Sequence, residues 1–382
     1  MVGSDLPKGF VVFVFRALLS VAVSASPQLK EQVNEKKEGD NSMMTMNDKE
    51  SSEVSATEPR TVDKTEQKKK ITESEVIDQA VESLKVGLLS NYQNMSVAPL
   101  VGVTAETGPE YLTMTEALEG ELLEVTEIDH GGSVPNLRVR NLCDKNVLLL
   151  DGEELMGAKQ NRVLNTTVLV AGQTEVVVPV SCTEQGRWSY KSEKFMDSKI
   201  MMAKAARSSK SSSVSHSLKI QPNSYCSDQG KVWEEIADYH CDLGSHSSTG
   251  AMKAAYDQRE DDLRACREAF PLVEGQRGVV IFVNGEFSGC EILSRADAYK
   301  LVHQKIIESY SLEAFREKKE SSGKPSAKKA KALLGQISSW KTERFKSVGL
   351  GEDLRLQNCE SHGNALLVDE SIVHAAAFGH DS

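Results

Sequence analysis

The stretch Leu148–Tyr190, LLLDGEELMGAKQNRVLNTTVLVAGQTEVVVPVSCTEQGRWSY, decides the fold. It holds three apolar, β-branched runs, Leu148–Leu150, Val163–Val170 and Glu175–Cys182. Two polar blocks punctuate them: Asp151, Glu153, Glu154, Lys159, Gln160, Asn161, Arg162 and Asn165, then Glu184, Gln185, Arg187 and Trp188. Short β-branched runs bounded by polar and turn residues read as buried strands. Charged side chains held at the edge of a rigid sheet are what a polar-ligand site needs.

Working outward, the first half is β-rich. Strands are expected around Val86–Leu89, Met95–Val101, Leu122–Ile128, Leu137–Leu142 and Val147–Leu150. A short helix capped by Thr113 or Thr115 interrupts them, and His130-Gly131-Gly132 reads as a turn. Asp144-Lys145-Asn146 and Ala171-Gly172-Gln173 read as hairpin connections. The middle switches to helical spacing. Helices are expected at Lys194–Lys204, at Asp228–His240 behind an Asp228 cap, at Thr249–Phe270 behind Thr249, and at Ala296–Tyr310. The Ser-rich Ser208–Ser217 reads as a mobile segment. Val279–Val283 and Glu286–Ile292 form a hairpin about Asn284-Gly285. A further helix near Ala332–Trp340 precedes closing strands at Asp353–Leu356, Ala365–Val368 and Ser371–Ala377. Strands, then helices, then strands again predict one compact α+β domain over Ser83–Phe378, with an antiparallel β-rich N-terminal part, a helical middle and closing C-terminal strands. A Lys- and Ser-rich insertion, Phe315–Lys331, interrupts it.

Ahead of the domain, Met1–Pro27 carries Lys8, Arg16 and the apolar Ala17–Ala25, a leader-like pattern ending in Val23-Ser24-Ala25. Gln28–Glu75 is too polar to offset its ordering entropy and is expected to be disordered. Seven scattered cysteines, without framework spacing, favour a reducing compartment and so pull against the leader, leaving localisation between cytoplasm and a secretory or organellar route. A net charge of -11 disfavours nucleic acid and anionic membranes, and 5% aromatic residues leave few stacking platforms. No stable membrane span is expected.

The candidate chemistry lies in the deciding stretch. Gly157-Ala158-Lys159-Gln160-Asn161-Arg162 pairs small residues that permit close approach with a point charge and a planar fork suited to an anion. It lacks the glycine pattern and Lys-Ser/Thr ending of a phosphate-binding Walker loop. Lys159, Gln160, Asn161, Arg162, Arg187 and Trp188 are the candidate ligand-binding residues. Glu154 and Glu184 are the candidate acid–base or ribose-contacting groups. Adjacent residues of a strand face opposite ways, so Glu154 is expected inward and Glu153 toward solvent. Cys182 reads as a buried residue more than as a nucleophile, since no His neighbours it. No metal is expected, for His-x-His, HExxH and paired CxxC spacings are missing, and no cofactor can be named.

The same stretch resembles the signature of the ARPP-1 family, named for its association with ADP-ribosylglycohydrolase and rhodanese-phosphatase proteins. The likeness runs from about Lys85 to Phe378. It includes YLTMTEALEG at Tyr111–Gly120, SVPNLRVRN at Ser133–Asn141, SDQGKVWEEI at Ser227–Ile236, STGAMKAAY at Ser248–Tyr256, VGLGEDLRL at Val348–Leu356 and ALLVDESIVHAAAF at Ala365–Phe378. The resemblance implies a neighbourhood of ADP-ribose or nucleotide-derived chemistry and no established reaction. The resulting expectation is a domain that binds a small anionic, nucleotide-like molecule. Hydrolysis or group transfer suits it better than redox chemistry, because no dinucleotide fingerprint follows a strand. The alternative is a noncatalytic sensor or scaffold binding a protein partner.

Overall fold

The computed structural model describes residues 71–128, 135–187, 189–316 and 325–379. The expected leader, the disordered segment up to residue 70, the turn at His130-Gly131-Gly132, Trp188 and the start of the insertion at 317–324 lie outside these residues.

The chain opens with α1 (Glu73–Glu82), then β1 (Leu84–Val86), β2 (Ser90–Tyr92) and β3 (Met95–Gly102). Thr72 and Glu75, at the end of the segment expected to be disordered, instead form a reciprocal capping box for α1. Next come β4 (Tyr111–Thr113), α2 (Met114–Glu119), β5 (Leu123–Glu127), β6 (Asn136–Asn141) and β7 (Asn146–Leu149). The deciding stretch continues with β8 (Glu153–Gly157), β9 (Arg162–Leu164), β10 (Val168–Val170) and β11 (Glu175–Cys182), followed by β12 (Phe195–Met201). Helices α3 (Lys204–Ile220), α4 (Gln229–Leu243), α5 (Lys253–Gln258) and α6 (Glu260–Ala269) fill the middle. The hairpin β13 (Gln276–Val283) and β14 (Glu286–Leu293) leads to α7 (Ala296–Arg316) and α8 (Ala327–Ile337). Four strands close the chain: β15 (Lys341–Lys346), β16 (Glu352–Gln357), β17 (Ser361–Val368) and β18 (Ser371–Gly379). The fold is α+β, as the order of strands and helices predicts.

Among the described residues the strands make three sheets. The largest runs β1-β3-β13-β14-β18-β17-β16-β15, with β2 on β3; the others run β12-β8-β9-β11-β6-β5 and β10-β7-β4. Pairing is antiparallel except between β4 and β7. Every residue of β13 is buried because both faces of the large sheet are covered. Val279, Ile281 and Val283 pack with Tyr299, Val302 and Ile306 of α7. Alternate residues Val280 and Phe282 pack with Ile77 of α1 and with Ala330 and Leu334 of α8. Helices α3 to α6 share a core built from Ala206, Ile236, Tyr239, Tyr256 and Leu263.

Several local expectations are corrected, each for a physical reason. The turns at Asp144-Lys145-Asn146 and Ala171-Gly172-Gln173 do not close hairpins. Strand β7 pairs with β10, and β6 with β11, so each turn passes from one sheet to another. Asn141 ties the two turns together, donating from Nδ2 to Lys145 O (2.8 Å) and Ala171 O (3.0 Å). Val163–Val170 is two strands, because Asn165, Thr166 and Thr167 between them turn buried side chains to Tyr225, Asp353 and His374. Phe195–Met201 is a strand where a helix is expected; its inward Asp197 hides the alternation. Ser208–Ser217 is no mobile segment but the body of α3. Small serines let that helix lie close to the large sheet, and Ser211 Oγ accepts from Asn364 Nδ2 at 3.1 Å. Thr249 caps nothing, and the expected helix behind it is broken into α5 and α6. The last part of the expected insertion, from Ala327, is α8, capped by Ser326.

At the start of β16, Gly351 has φ +85°, and a Cβ there would stand 2.2 Å from Leu367 O. Both the left-handed backbone and the close approach require glycine. Gly351→Ala is expected to lose at least ~2 kcal/mol of stability in a denaturant titration, given about 1–3 kcal/mol for such backbone strain alone.

Candidate functional site

Of the residues singled out in the deciding stretch, Gln160, Asn161, Arg162, Glu184 and Arg187 come together, but inside the protein, while Lys159 stays half-buried. Gly157 and Ala158 both have positive φ (145° and 40°), which turns the chain between β8 and β9. The turn delivers Gln160, Asn161 and Arg162 into the interior against the end of β11, where all three are buried. Arg187 is the hub. Its Nε donates to Glu184 Oε2 (2.8 Å), Nη1 to Ala158 O (2.7 Å) and Ser189 O (3.0 Å), and Nη2 to Asn161 Oδ1 (3.1 Å) and Gly157 O (3.3 Å). These five contacts use all five guanidinium N–H groups. Gln160 Nε2 donates to Glu184 O (2.8 Å). Glu184 accepts from Thr249 Oγ1 (2.9 Å), and Arg187 and Thr249 hold its carboxyl below the usual range against the opposing effect of burial. Lys159 lies over the Tyr190 ring, 5.2 Å from its centroid. The block is a satisfied framework that fixes the loop Ser247–Ala251, to which it also bonds through Gly186 N→Thr249 O (2.8 Å).

Arg162 turns the other way. Its Nη1 donates to Gln160 Oε1 and to Cys182 Sγ, both at 2.9 Å, and Nη2 lies 3.7 Å from Glu127. Burial pushes the Cys182 thiol up despite Arg162, so the sulfur sits as a thiol accepting a hydrogen bond. The backbone of Cys182 is matched by the Gln229 side chain, which accepts from its N–H (2.7 Å) and donates to its C=O (2.9 Å). Asp228 caps α4 through Gly230 and Lys231.

Glu153 and Glu154 are both fully buried, correcting the expectation that Glu153 faces solvent. Strand β8 is enclosed on both faces. Glu153 and Asp197 receive the ammonium of Lys305 at 2.8 and 2.9 Å, and Thr115 shares it at 3.0 Å. Glu154 Oε1 accepts from Thr183 Oγ1 at 2.5 Å. Among the described residues its Oε2 has no partner in hydrogen-bonding geometry, although the Ser198 hydroxyl is near enough to oppose the shift. Burial dominates and pushes the carboxyl up to about 7.

The residues that the sequence reading missed lie on α3. Its inner face carries Arg207 and Lys210, fully buried against Asp151 and Glu291. Its outer stripe, Ser208, Ser212, Ser215 and Lys219 at helical spacing, is one wall of a cleft of about 520 Å³. The opposite wall comes from β15 to β17, with Arg355, Gln357 and His362. His362 Nε2 donates to Ser208 O (3.0 Å), and its ring packs on Phe378. Lys219 reaches Gln357 Oε1 (3.2 Å) and Glu343 (3.4 Å) across the opening. Arg355 is buried and pinned to Asp353 (2.6 Å) and Thr166 (2.9 Å), while its buried Nη1 has no hydrogen-bond partner among the described residues. Three cations (Lys219, Lys341, Arg355) and three carboxylates (Glu235, Glu343, Glu360) line the cleft, so it is dipolar and not a strong anion trap. The signal that marks this wall is the i, i+4, i+7, i+11 spacing of Ser208, Ser212, Ser215 and Lys219, legible once the serine run is taken as a helix.

Among the described residues no His, Cys, Asp and Glu side chains gather in a group of three or more able to hold a metal ion. None of the described helices is long and apolar enough to cross a membrane. The sequence profile of the ARPP-1 family, described as the ARG and Rhodanese-Phosphatase-superfamily-associated Protein domain, matches residues 83–378. Neither a curated protein nor a solved structure matches the chain.

Proposed function

The chain belongs to the ARPP-1 domain family, and from that premise we propose that its domain binds a small, hydroxyl-rich molecule of nucleotide-like or ADP-ribose-derived chemistry. The observation that carries this reading is the cleft between α3 and β15–β17. About 520 Å³ is room for a ligand of drug-like size. Its walls offer serine hydroxyls, two imidazoles, amides and a rigidly held guanidinium. Hydroxyls and amides pair with ribose or sugar hydroxyls, and Arg355 or Lys219 can take one phosphate or carboxylate. The even charge balance favours a ligand with few negative charges over a polyphosphate. The framework of Gln160, Asn161, Arg162, Glu184 and Arg187 is proposed to support this domain's shape; the donors of Arg187 are already engaged, and Arg162 Nε is buried without a hydrogen-bond partner among the described residues.

Thermal-shift titration of the full chain with ADP-ribose, AMP and ribose 5-phosphate tests the reading. Ser212 is solvent-exposed on the cleft wall, so Ser212→Trp fills the opening without touching the core. Saturable stabilisation is expected in the wild type, reaching about 2.7 kcal/mol at a ligand concentration 100 times Kd, and is expected to vanish in Ser212→Trp. A shift that survives Ser212→Trp but is lost in Lys159→Ala would move the site to the β8–β9 turn. No shift with any ligand, from folded protein, would sink the small-molecule reading and bring the protein-partner reading forward.

A further inference from the structure

A second, smaller cleft of about 230 Å³ opens between α4 and the loop Ser245–Gly250, away from the serine stripe of α3. One wall is apolar, with Trp233, Ile236 and Ala237; Gln185 and His246 stand on the other side. Within it the Ser245 hydroxyl lies 2.7 Å from His240 Nδ1, and His240 Nε2 lies 3.1 Å from the carbonyl oxygen of Ala251. A carbonyl only accepts, so the proton of the neutral ring sits on Nε2 and Nδ1 is left as an acceptor. Ser245 therefore donates to Nδ1. The result is a hydroxyl bonded to a base whose ring is oriented by a third group, the arrangement that activates a nucleophile. Ser245 and His240 are both partly accessible. The indole Nε1–H of Trp233, in the same wall, is buried and finds no partner among the described residues.

We propose that Ser245 is a nucleophile for acyl transfer, activated by His240, and that this cleft takes a short-chain ester. Ser245 Oγ attacks the carbonyl carbon and forms the new C–O bond while its proton passes to His240 Nδ1. Collapse breaks the ester C–O bond, and the departing alkoxide takes that proton and leaves as the alcohol. Water then attacks the acyl-Ser245 carbonyl, giving its proton to Nδ1, which returns it to Ser245 as the carboxylic acid departs. Throughout, Nε2–H stays on Ala251 O, which also steadies the ring when it is charged. Burial keeps the His240 pKa below its ordinary value, so the ring is neutral and available as a base near pH 7. The loop is held in place by the polar framework at the end of β11, through Met252 N→Thr183 O (2.9 Å) and Thr249 Oγ1→Glu184 Oε1 (2.9 Å). That gives the densest polar block of the sequence a role as support for this loop.

A helix-terminal serine that merely caps its own histidine has the same geometry but no unusual reactivity. Full-length protein incubated with an alkyl fluorophosphonate and mapped by peptide mass spectrometry separates the two. One adduct per chain, on Ser245, is expected, with none in Ser245→Ala and labelling at least about 100-fold slower in His240→Gln, the size of a lost general base. Folded wild-type protein without an adduct, or with its adduct elsewhere, overturns the proposal, as does an unchanged rate in His240→Gln. If His240→Gln loses the fold, the wild-type labelling rate against pH decides instead. A rate that levels off by about neutral pH supports the imidazole base; a rate that climbs steadily with hydroxide overturns it.

Discussion

Arg207→Met is expected to lower the unfolding free energy by about 3–5 kcal/mol, the usual consequence of removing one partner from a buried ion pair. Arg207 is fully buried and spans two carboxylates. Its Nη1 and Nη2 grip Glu291 at 2.5 and 3.2 Å, and its Nε lies 3.4 Å from Asp151. Against the opposing effect of burial, Arg207 and His374 hold the Glu291 carboxyl below its usual range, so it is ionised in the folded protein. Asp151 also keeps Lys210. Without Arg207, Glu291 retains only His374 (3.2 Å) and the Tyr310 hydroxyl (3.2 Å), and its charge is left without a full counter-charge. Arg207→Lys should also lose stability, because an ammonium cannot make the two-point contact. The loss should shrink in Arg207→Met/Glu291→Gln, where no uncompensated charge stays buried. Urea unfolding of the wild type, Arg207→Met, Glu291→Gln and the double variant gives the coupling energy directly. If the double variant is no more stable than Arg207→Met, the loss comes from packing around Phe378 and not from charge.

That network has a consequence for the proposed ligand. Arg207 and Lys210 fix one side of α3 to the sheets, and Ser208, Ser212 and Ser215 on its other side form the cleft wall. The cleft is therefore only as rigid as the buried charges behind it. Three cations, Arg207, Lys210 and Arg355, face three carboxylates, Asp151, Glu291 and Asp353, across the junction of α3 with the sheets. Such a balanced cluster is a poor source of net stability but a strong constraint on position, because any displaced charge loses its partners.

These same residues explain where the sequence was legible. Runs that alternate between two covered faces, such as Val279–Val283, declare themselves, and the Asn284-Gly285 turn declares its hairpin. Helix α4 shows both its Asp228 cap and its apolar stripe. Serines and charges carry no such signal. The run Ser208–Ser217 looks solvated because serine is polar, yet its small volume is what allows the helix to pack closely. Lys210 and Arg207 look like surface charges because their partners, Asp151 and Glu291, lie 59 and 84 residues away in sequence. The polar block around Arg187 was readable as a cluster of interacting groups. Its burial was not, since that depends on how the loop Ser247–Ala251 closes over it. Turn residues likewise showed where the chain reverses after β6 and β10 without showing which sheet it would join next.

Glu154→Gln is expected to stabilise the protein above neutral pH, by up to ~3 kcal/mol at pH 8. Burial raises the Glu154 carboxyl from 4.5 to about 7; Thr183, Ser198 and Lys253 oppose the shift, and Glu184 adds to it. A raised acid binds its proton more tightly in the folded state. Its contribution to stability is thus fully present below about pH 4.5 and is lost as pH rises through about 7. At about 1.4 kcal/mol per pH unit, the gap between those two values gives the expected size. Glutamine matches the neutral acid in shape. Its oxygen can accept from Thr183, and its amide replaces the Oε2 that has no partner among the described residues. The variant should accordingly match the wild type at pH 4.5 and pull ahead between pH 5 and 8 in guanidinium titrations. A Glu154→Gln protein that is instead less stable than the wild type at pH 8 would mean the carboxylate is charged and used in the folded state. That outcome would return Glu154 to candidacy as an acid–base group, because an enclosed carboxylate held ionised beside Glu184 requires a counter-charge that only a ligand or a rearranged Lys253 could bring.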